Sequence, residues 1–131
     1  MREVRGSDAY LQEGREVTKY GAKKTPCRHG HTHASGREAK RCNELHLLLH
    51  AGEITHLETQ VQYWFHIDGR PLVHLNGRRV GYKPDFRYRE RNGKLIVEDA
   101  KPPDAKARGR DWPLRSAMFR ALYPDTELRE V

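Results

Sequence analysis

"KPDFRYRERNGKLIVEDAKP", residues 83–102, decides how the chain is read. Its two halves carry the β-branched and aromatic content of strands, and Asn92-Gly93 between them supplies turn residues. Yet Asp85 and Asp99 stand at the far ends of these strands, where a packed sheet calls for Val or Ile. Loop length decides whether the two carboxylates meet. A two-residue Asn92-Gly93 loop sets Asp85 opposite Ala100, whereas a three-residue Arg91-Asn92-Gly93 loop, with Gly93 in the left-handed region as a G1 bulge, sets Asp85 opposite Asp99. The second register is expected, because a type I turn closed by Gly is a common use of this residue order. Strand alternation then puts Lys101 on the face of Asp99 and Glu98 on the other face.

Working outward, Ser35 and Glu38 have capping-box spacing, and "SGREAKRCNELHLLLHAGE" runs on as a helix over 36–50 that Gly52 ends in a C′ position. At 100° per residue, Glu38, Cys42, Leu45 and Leu49 share one face. Residues 57–67, "LETQVQYWFHI", read as a first strand closed by "DGRP", and a second strand starts after the Asn76-Gly77 turn. Beyond the polar loop "PPDAKARGR", Asp111 reads as the N-cap of a second helix with Pro113 in its first turn. Leu114, Ala117, Met118, Ala121 and Leu122 form its apolar stripe, with Arg115 and Arg120 off it. Pro124 stops this helix, and "TELREV" alternates as a closing strand. The expected class is α/β, in the order α-β-β-β-α-β, with a central mixed sheet flanked by helices.

The chain has 131 residues, enough for one core and too few for two. Residues 1–26 show neither helical nor strand periodicity and read as a basic, extended arm; the domain proper is expected over 27–131. The formal charge of +7 favours acidic polymers as partners. No run of eighteen apolar residues and no signal-peptide h-region occurs, so no membrane partner and a cytoplasmic location are expected. Two cysteines, Cys27 and Cys42, are too few for a disulfide framework and suit thiols or metal ligands.

Phosphodiester hydrolysis needs a hydroxide near neutral pH, neutralisation of charge in the transition state and help for the leaving oxygen. Magnesium held by two or three carboxylates can supply all three. Asp85 and Asp99 make such a pair, Glu38 adds a third acid from the first helix, and Lys101 can orient water or neutralise the phosphate. Taken singly, Asp85 is a turn residue, Asp99 and Lys101 a same-face ion pair, and Glu38 half of a capping box. Taken together, they fall at the ends of elements whose pattern packs them side by side.

Pro84-Asp85, thirteen residues, then Asp99-Ala100-Lys101 resembles the PD-(D/E)XK nuclease motif. The segments "SGREAKRCNELHLLLHAGEITHLETQ", "VGYKPDFRY", "GKLIVEDAKP" and "FRALYPDTELREV" look like a family of small phage and prophage proteins of that superfamily, DUF1064-like, over most of residues 18–131. The resemblance implies a restriction-endonuclease-like core and a magnesium- or manganese-dependent DNA nuclease. Asp85 and Asp99 would be its metal ligands, Lys101 its catalytic lysine and Glu38 its helix acid. Glu44, in "NEL", is a rival that the helical wheel puts about 240° round from Glu38, facing solvent. Gln60 resembles a glutamine that follows the first helix in several relatives, with a role near the scissile bond; an exposed strand polar is the plain alternative. Pro102 departs from the family, where glycine often follows the lysine. A phage-encoded protein would work in the host cytoplasm.

"CRHGHTH" and "CNELH" carry a second signal: both cysteines with His29, His31, His33, His46 and His50 fall within 24 consecutive positions. Zinc takes four such ligands as a tetrahedron, often one pair from a loop and one from a helix. Cys42 and His46 lie one turn apart, and Cys27 with His31 or His33 comes from the preceding loop. Cys27, His33 and Cys42 are the best ligands, with His31 or His46 as the fourth. The plain alternative is a solvated, histidine-rich surface, and the spacing matches no standard finger.

Lys23, Lys24, Arg78, Arg79, Lys83, Lys106, Arg108, Arg110 and Arg115 are scattered, which suits sequence-independent phosphate contact; Lys83, Arg110 and Arg115 are the expected DNA contacts. Trp64 and Trp112 read as core or loop anchors. The expected activity is metal-assisted DNA endonuclease cleavage, on branched or Holliday-junction DNA in phage replication or recombination, for which a homodimer would be needed. The alternative is a non-enzymatic, zinc-stabilised DNA-binding module. An RNA-binding role is weaker, since no aromatic strand motif of the usual RNA modules occurs.

Overall fold

The computed structural model describes residues 24–102 and 109–131. The arm expected at the N-terminus, up to residue 23, and residues 103–108 of the expected polar loop lie outside them, with Lys23, Lys106 and Arg108. The architecture is mixed α/β; among the described residues it has two helices and a four-stranded mixed sheet. Two compact units, Met1–Leu47 and Leu48–Val131, divide the chain at a boundary inside the first helix.

The described part of the first unit opens with a hairpin that periodicity did not reveal. β1 (Thr25–Pro26) pairs antiparallel with β2 (Thr32–His33), Thr25 facing His33. The Cys27 N–H donates to the His31 carbonyl at 2.8 Å. That bond leaves Arg28-His29-Gly30 as a three-residue loop, and Gly30 takes the left-handed backbone at φ +85° that closes it. α1 (Gly36–His50) then starts where Ser35 Oγ accepts the Glu38 N–H at 3.1 Å. The reciprocal half of a capping box would turn the Glu38 side chain back to the cap; here its carboxylate goes to His33 instead. Glu38, Ala39, Cys42 and Leu45 are buried along one face.

In the second unit, a Schellman motif ends the helix. Gly52 (φ +80°) donates to Leu49 at 3.1 Å and Glu53 to Leu48 at 2.9 Å. The sheet runs β10-β9-β8-β3, with β3 (Ile54–Thr59), β8 (Phe86–Glu90), β9 (Leu95–Asp99) and β10 (Thr126–Glu130). β3, β8 and β9 are antiparallel neighbours, whereas β10 lies parallel to β9. Phe86 faces Glu98 and Arg89 faces Leu95. Glu90 closes the loop by donating to Lys94 at 3.0 Å and accepting from Gly93 at 2.8 Å. Arg91-Asn92-Gly93 is therefore a three-residue loop, and the paired register runs out to Phe86 and Glu98, the neighbours of Asp85 and Asp99.

The strand expected over 57–67 is broken. β3 starts at Ile54, bulges between Thr55 and Glu58, and stops before Gln60, whose φ of +57° turns the chain away. Residues 63–82 instead fold on themselves. β4 (Tyr63–Trp64) pairs with β7 (Gly81–Tyr82), and β5 (His66–Ile67) with β6 (Arg70–Pro71) across a two-residue Asp68-Gly69 turn whose φ values of +51° and +77° suit type I′. Leu75-Asn76-Gly77 forms another three-residue loop, closed by His74 donating to Arg78 at 2.8 Å.

α2 (Trp112–Leu122) covers one face of the sheet, and its buried stripe differs from the one expected. Trp112, Ser116 and Phe119 are buried, Met118 and Leu122 partly so, while Leu114 is 67% exposed. Two aromatic rings seven residues apart bury more area than the leucine and alanine positions and so set the rotation of the helix. Ser116 is tolerated between them because its hydroxyl donates to the Pro113 carbonyl at 3.1 Å. Asp111 makes no side-chain cap; it pairs with Arg115 at 3.0 Å, and Arg115, expected off the apolar stripe, is half-buried. Phe65, Tyr82, Val97, Trp112 and Phe119 form the core of this layer.

Candidate functional site

Three residues of the 83–102 segment meet at the open end of the β8–β9 pair. Pro84 cannot donate to a ladder, so the chain leaves β7 and enters β8 through an irregular step that carries Asp85. Asp85 Oδ2 accepts the Ala100 N–H at 2.8 Å, which ties it across to the end of β9. Asp99, 6% exposed, accepts the Tyr82 hydroxyl on Oδ2 at 2.6 Å. The Lys101 ammonium lies 3.6 Å from the same Oδ2 and 4.1 Å above the Trp112 ring. Burial, and next the neighbouring Asp99 carboxylate, hold the Tyr82 hydroxyl far above its usual range, so it remains a donor.

These groups line a cleft of about 1050 Å³. Among the described residues its charged walls are Arg78, Arg79, Lys83, Lys101 and Arg115 against Asp85 and Asp99, an excess of bases around a pair of acids. Arg79 also lies 4.7 Å over the Trp64 ring, so Trp64, 39% exposed, forms part of the wall rather than a core anchor. Trp112 is in the core, as its type suggests, yet one face carries Lys101. Gln60 donates through its N–H to the Asp85 carbonyl at 3.2 Å, and its side-chain amide makes a long 3.5 Å contact with Asp85 Oδ1. Arg110 is exposed and outside the cleft lining. Glu98, on the other face of β9, is fully buried and takes the Tyr88 hydroxyl.

Tyr82 and Trp112 were not foreseen at this site. "GYKPD" places a tyrosine three residues before Asp85, but only the break at Pro84 and the pairing of β7 with β4 aim its hydroxyl at Asp99.

The first unit holds the other cluster. One ligand atom each from Cys27, His31, His33 and Cys42 lies within 4.8 Å of all the others, a group able to hold a metal ion such as zinc. Cys27 follows β1, His31 and His33 flank and end β2, and Cys42 projects from the second turn of α1. The Arg28 N–H donates to Asn43 Oδ1 at 3.0 Å and fixes the hairpin tip to the helix. Buried His33 directs Nδ1 to Glu38 Oε2 at 2.6 Å. Burial alone would lower the His33 value, but the bonds to Glu38 and Cys27 and the charges of those two groups together outweigh it, and the net shift is upward. Burial pushes the Cys42 thiol up to about 12. Burial also opposes ionisation of Cys27, yet the N–H groups of His29 and His31, with the His33 and Cys42 side chains, together outweigh it and lower its value. Glu44, the rival acid, is half exposed and pairs with Arg41 at 3.2 Å. His46 stacks on His29 with ring centroids 3.8 Å apart.

No described helix is long and apolar enough to cross a membrane. Over residues 17–131 the chain matches the model of a protein family described as Protein of unknown function (DUF1064). No curated protein and no solved structure matches it.

Proposed function

The chain belongs to the DUF1064 family, and from the cleft of its second unit we propose that it is a metal-dependent DNA endonuclease of the PD-(D/E)XK type. The observation that carries the reading is that Asp85 and Asp99 line one cleft, with the Lys101 ammonium 3.6 Å from Asp99 Oδ2 and the other charged walls basic. The mixed sheet and the helix α2 packed on it are compatible with a restriction-endonuclease-like core.

The donor set suits a hard divalent cation. Asp85 accepts the Ala100 N–H on Oδ2 and the long Gln60 amide contact on Oδ1, Asp99 takes Tyr82 and Lys101 on Oδ2, and carboxylate oxygens are what magnesium or manganese takes. Such an ion, when bound, supplies an activated water and neutralises phosphate charge. The protein's own part is to hold charges in place. Tyr82 fixes the rotamer of Asp99, and Trp112 supports the Lys101 ammonium from below, so that its positive charge needs no reorganisation as negative charge grows on the phosphate. Arg78, Arg79, Lys83 and Arg115 give phosphate contacts that read no sequence. Branched DNA in phage replication or recombination is the proposed substrate class. Glu38, expected as the helix acid of this site, has its carboxylate 2.6 Å from His33 Nδ1 within the first unit.

A second reading is a non-enzymatic DNA-binding module. It is favoured by the intramolecular partners of both acids, which would also suit a purely structural role. Linear, nicked, flapped and four-way DNA incubated with Mg²⁺ or with EDTA separate the two. Magnesium-dependent cleavage that Asp99→Ala abolishes supports the nuclease; DNA binding without cleavage under any metal supports the module.

A further inference from the structure

We propose that Cys27 Sγ, His31 Nδ1, His33 Nε2 and Cys42 Sγ bind one zinc ion in a closed, tetrahedral, structural site. The spacing of the donors is the first argument. Zinc–sulfur and zinc–nitrogen bonds of about 2.3 and 2.05 Å at a tetrahedral angle put sulfur and nitrogen about 3.6 Å apart. His31 Nδ1 lies 3.7 Å from Cys27 Sγ and 3.5 Å from Cys42 Sγ. His31 Nδ1 thus already stands at corner spacing from both sulfurs, and all four donor atoms lie within 4.8 Å of one another.

The fourth corner follows from Glu38. Its bond to His33 Nδ1 fixes the ring and directs the opposite nitrogen, Nε2, to the ion, in the carboxylate–histidine–metal arrangement by which proteins orient a ligand. His46 is set aside: its Nδ1 comes within 3.6 Å of Cys42 Sγ but donates to the Cys42 carbonyl at 2.9 Å, its ring is stacked on His29, and among the described residues the mutually close donors are Cys27, His31, His33 and Cys42. The His29 N–H points at Cys27 Sγ at 3.4 Å, a donor that favours thiolate. Two thiolates and two imidazoles select zinc over magnesium, and four protein ligands leave no open position for catalysis.

Such an ion has a mechanical purpose here. The β1–β2 hairpin has two residue pairs, and an isolated two-stranded hairpin is at best marginally stable. Three ligands from that hairpin and one from α1 would clamp it to the helix and couple metal binding to its folding.

The test uses the full-length chain, loaded with Zn²⁺ or Co²⁺ under reducing conditions. One zinc per chain by elemental analysis is expected, and the cobalt form should show the intense d–d bands of a tetrahedral ion with thiolate-to-cobalt charge transfer. Cys42→Ser and His33→Ala should lose the ion, while His46→Ala keeps it. An octahedral cobalt spectrum, substoichiometric zinc, a Cys27–Cys42 disulfide in place of metal, or loss of the ion in His46→Ala overturns the site. If the ligand variants do not fold, the cobalt spectrum of the unaltered chain decides. None of these readouts requires nuclease activity, so the two proposals fail independently.

Discussion

His33 Nδ1 lies 2.6 Å from Glu38 Oε2, with both side chains buried at the start of α1. The five-residue separation brings a strand end and a helix first turn together, and makes Glu38 the group that decides which His33 nitrogen is available. Glu38→Ala is expected to weaken zinc binding by about 10- to 100-fold, the usual cost of losing such an orienting partner. Competition with a chromophoric chelator measures it. Affinity unchanged within a factor of two would show that His33 needs no carboxylate to orient it.

Metal affinity should rise with pH. Burial pushes Cys42 up to about 12, so without metal it is a thiol at neutral pH and must release its proton on binding. A group protonated when free and deprotonated when bound makes affinity climb about tenfold per pH unit until that pKa is reached. Titrations between pH 7 and 8.5 should show at least this slope, with at least one proton released per ion in buffers of different ionisation enthalpy. A flat profile contradicts a Cys42 thiolate ligand.

Lys101 offers a test that separates chemistry from binding. Lys101→Met keeps the aliphatic stem over Trp112 and removes only the charge 3.6 Å from Asp99. DNA cleavage should fall by about 10²- to 10³-fold, the range for removing one preorganised stabilising group, while DNA affinity changes little. Single-turnover rates and a binding titration on the same duplex give both numbers. Equal losses in both would make Lys101 a phosphate anchor.

Gly81 controls the pairing that aims Tyr82. A Cβ there would stand 2.8 Å from both Gln62 Nε2 and Trp64 Cε3 and would strike the Tyr63 carbonyl across the β4–β7 pair. Gly81→Ala is expected to cost about 1–3 kcal/mol as overpacking. Urea denaturation should show a lower midpoint with an unchanged slope. Cleavage should suffer further, because the Tyr82–Asp99 bond depends on that pairing.

Several features were legible because they depend on neighbours in sequence. Ser35 and Gly52 bracket α1 as their cap chemistry requires, and "RNG" closes β8 on β9 with three loop residues because Gly93 alone there takes positive φ without strain. The break of the first strand was not legible. Gln60 is a non-glycine residue at φ +57°, a conformation that local preference disfavours and that the bond from its N–H to the Asp85 carbonyl holds. The stripe of α2 was misread for a related reason. Apolar periodicity treats Leu114 and Phe119 alike, whereas packing against Val97 and Tyr82 selects the larger ring.

By itself the sequence determined the helix bounds, the hairpin register and the short list of acids, thiols and imidazoles, since each follows from turn chemistry, periodicity or residue type. Only the tertiary structure decided that Tyr82 and Trp112 flank Asp99 and Lys101, and that His31 rather than His46 stands between the two sulfurs. Those choices depend on contacts between segments distant in sequence, or on which ring nitrogen a neighbour has already taken, and neither leaves a trace in spacing.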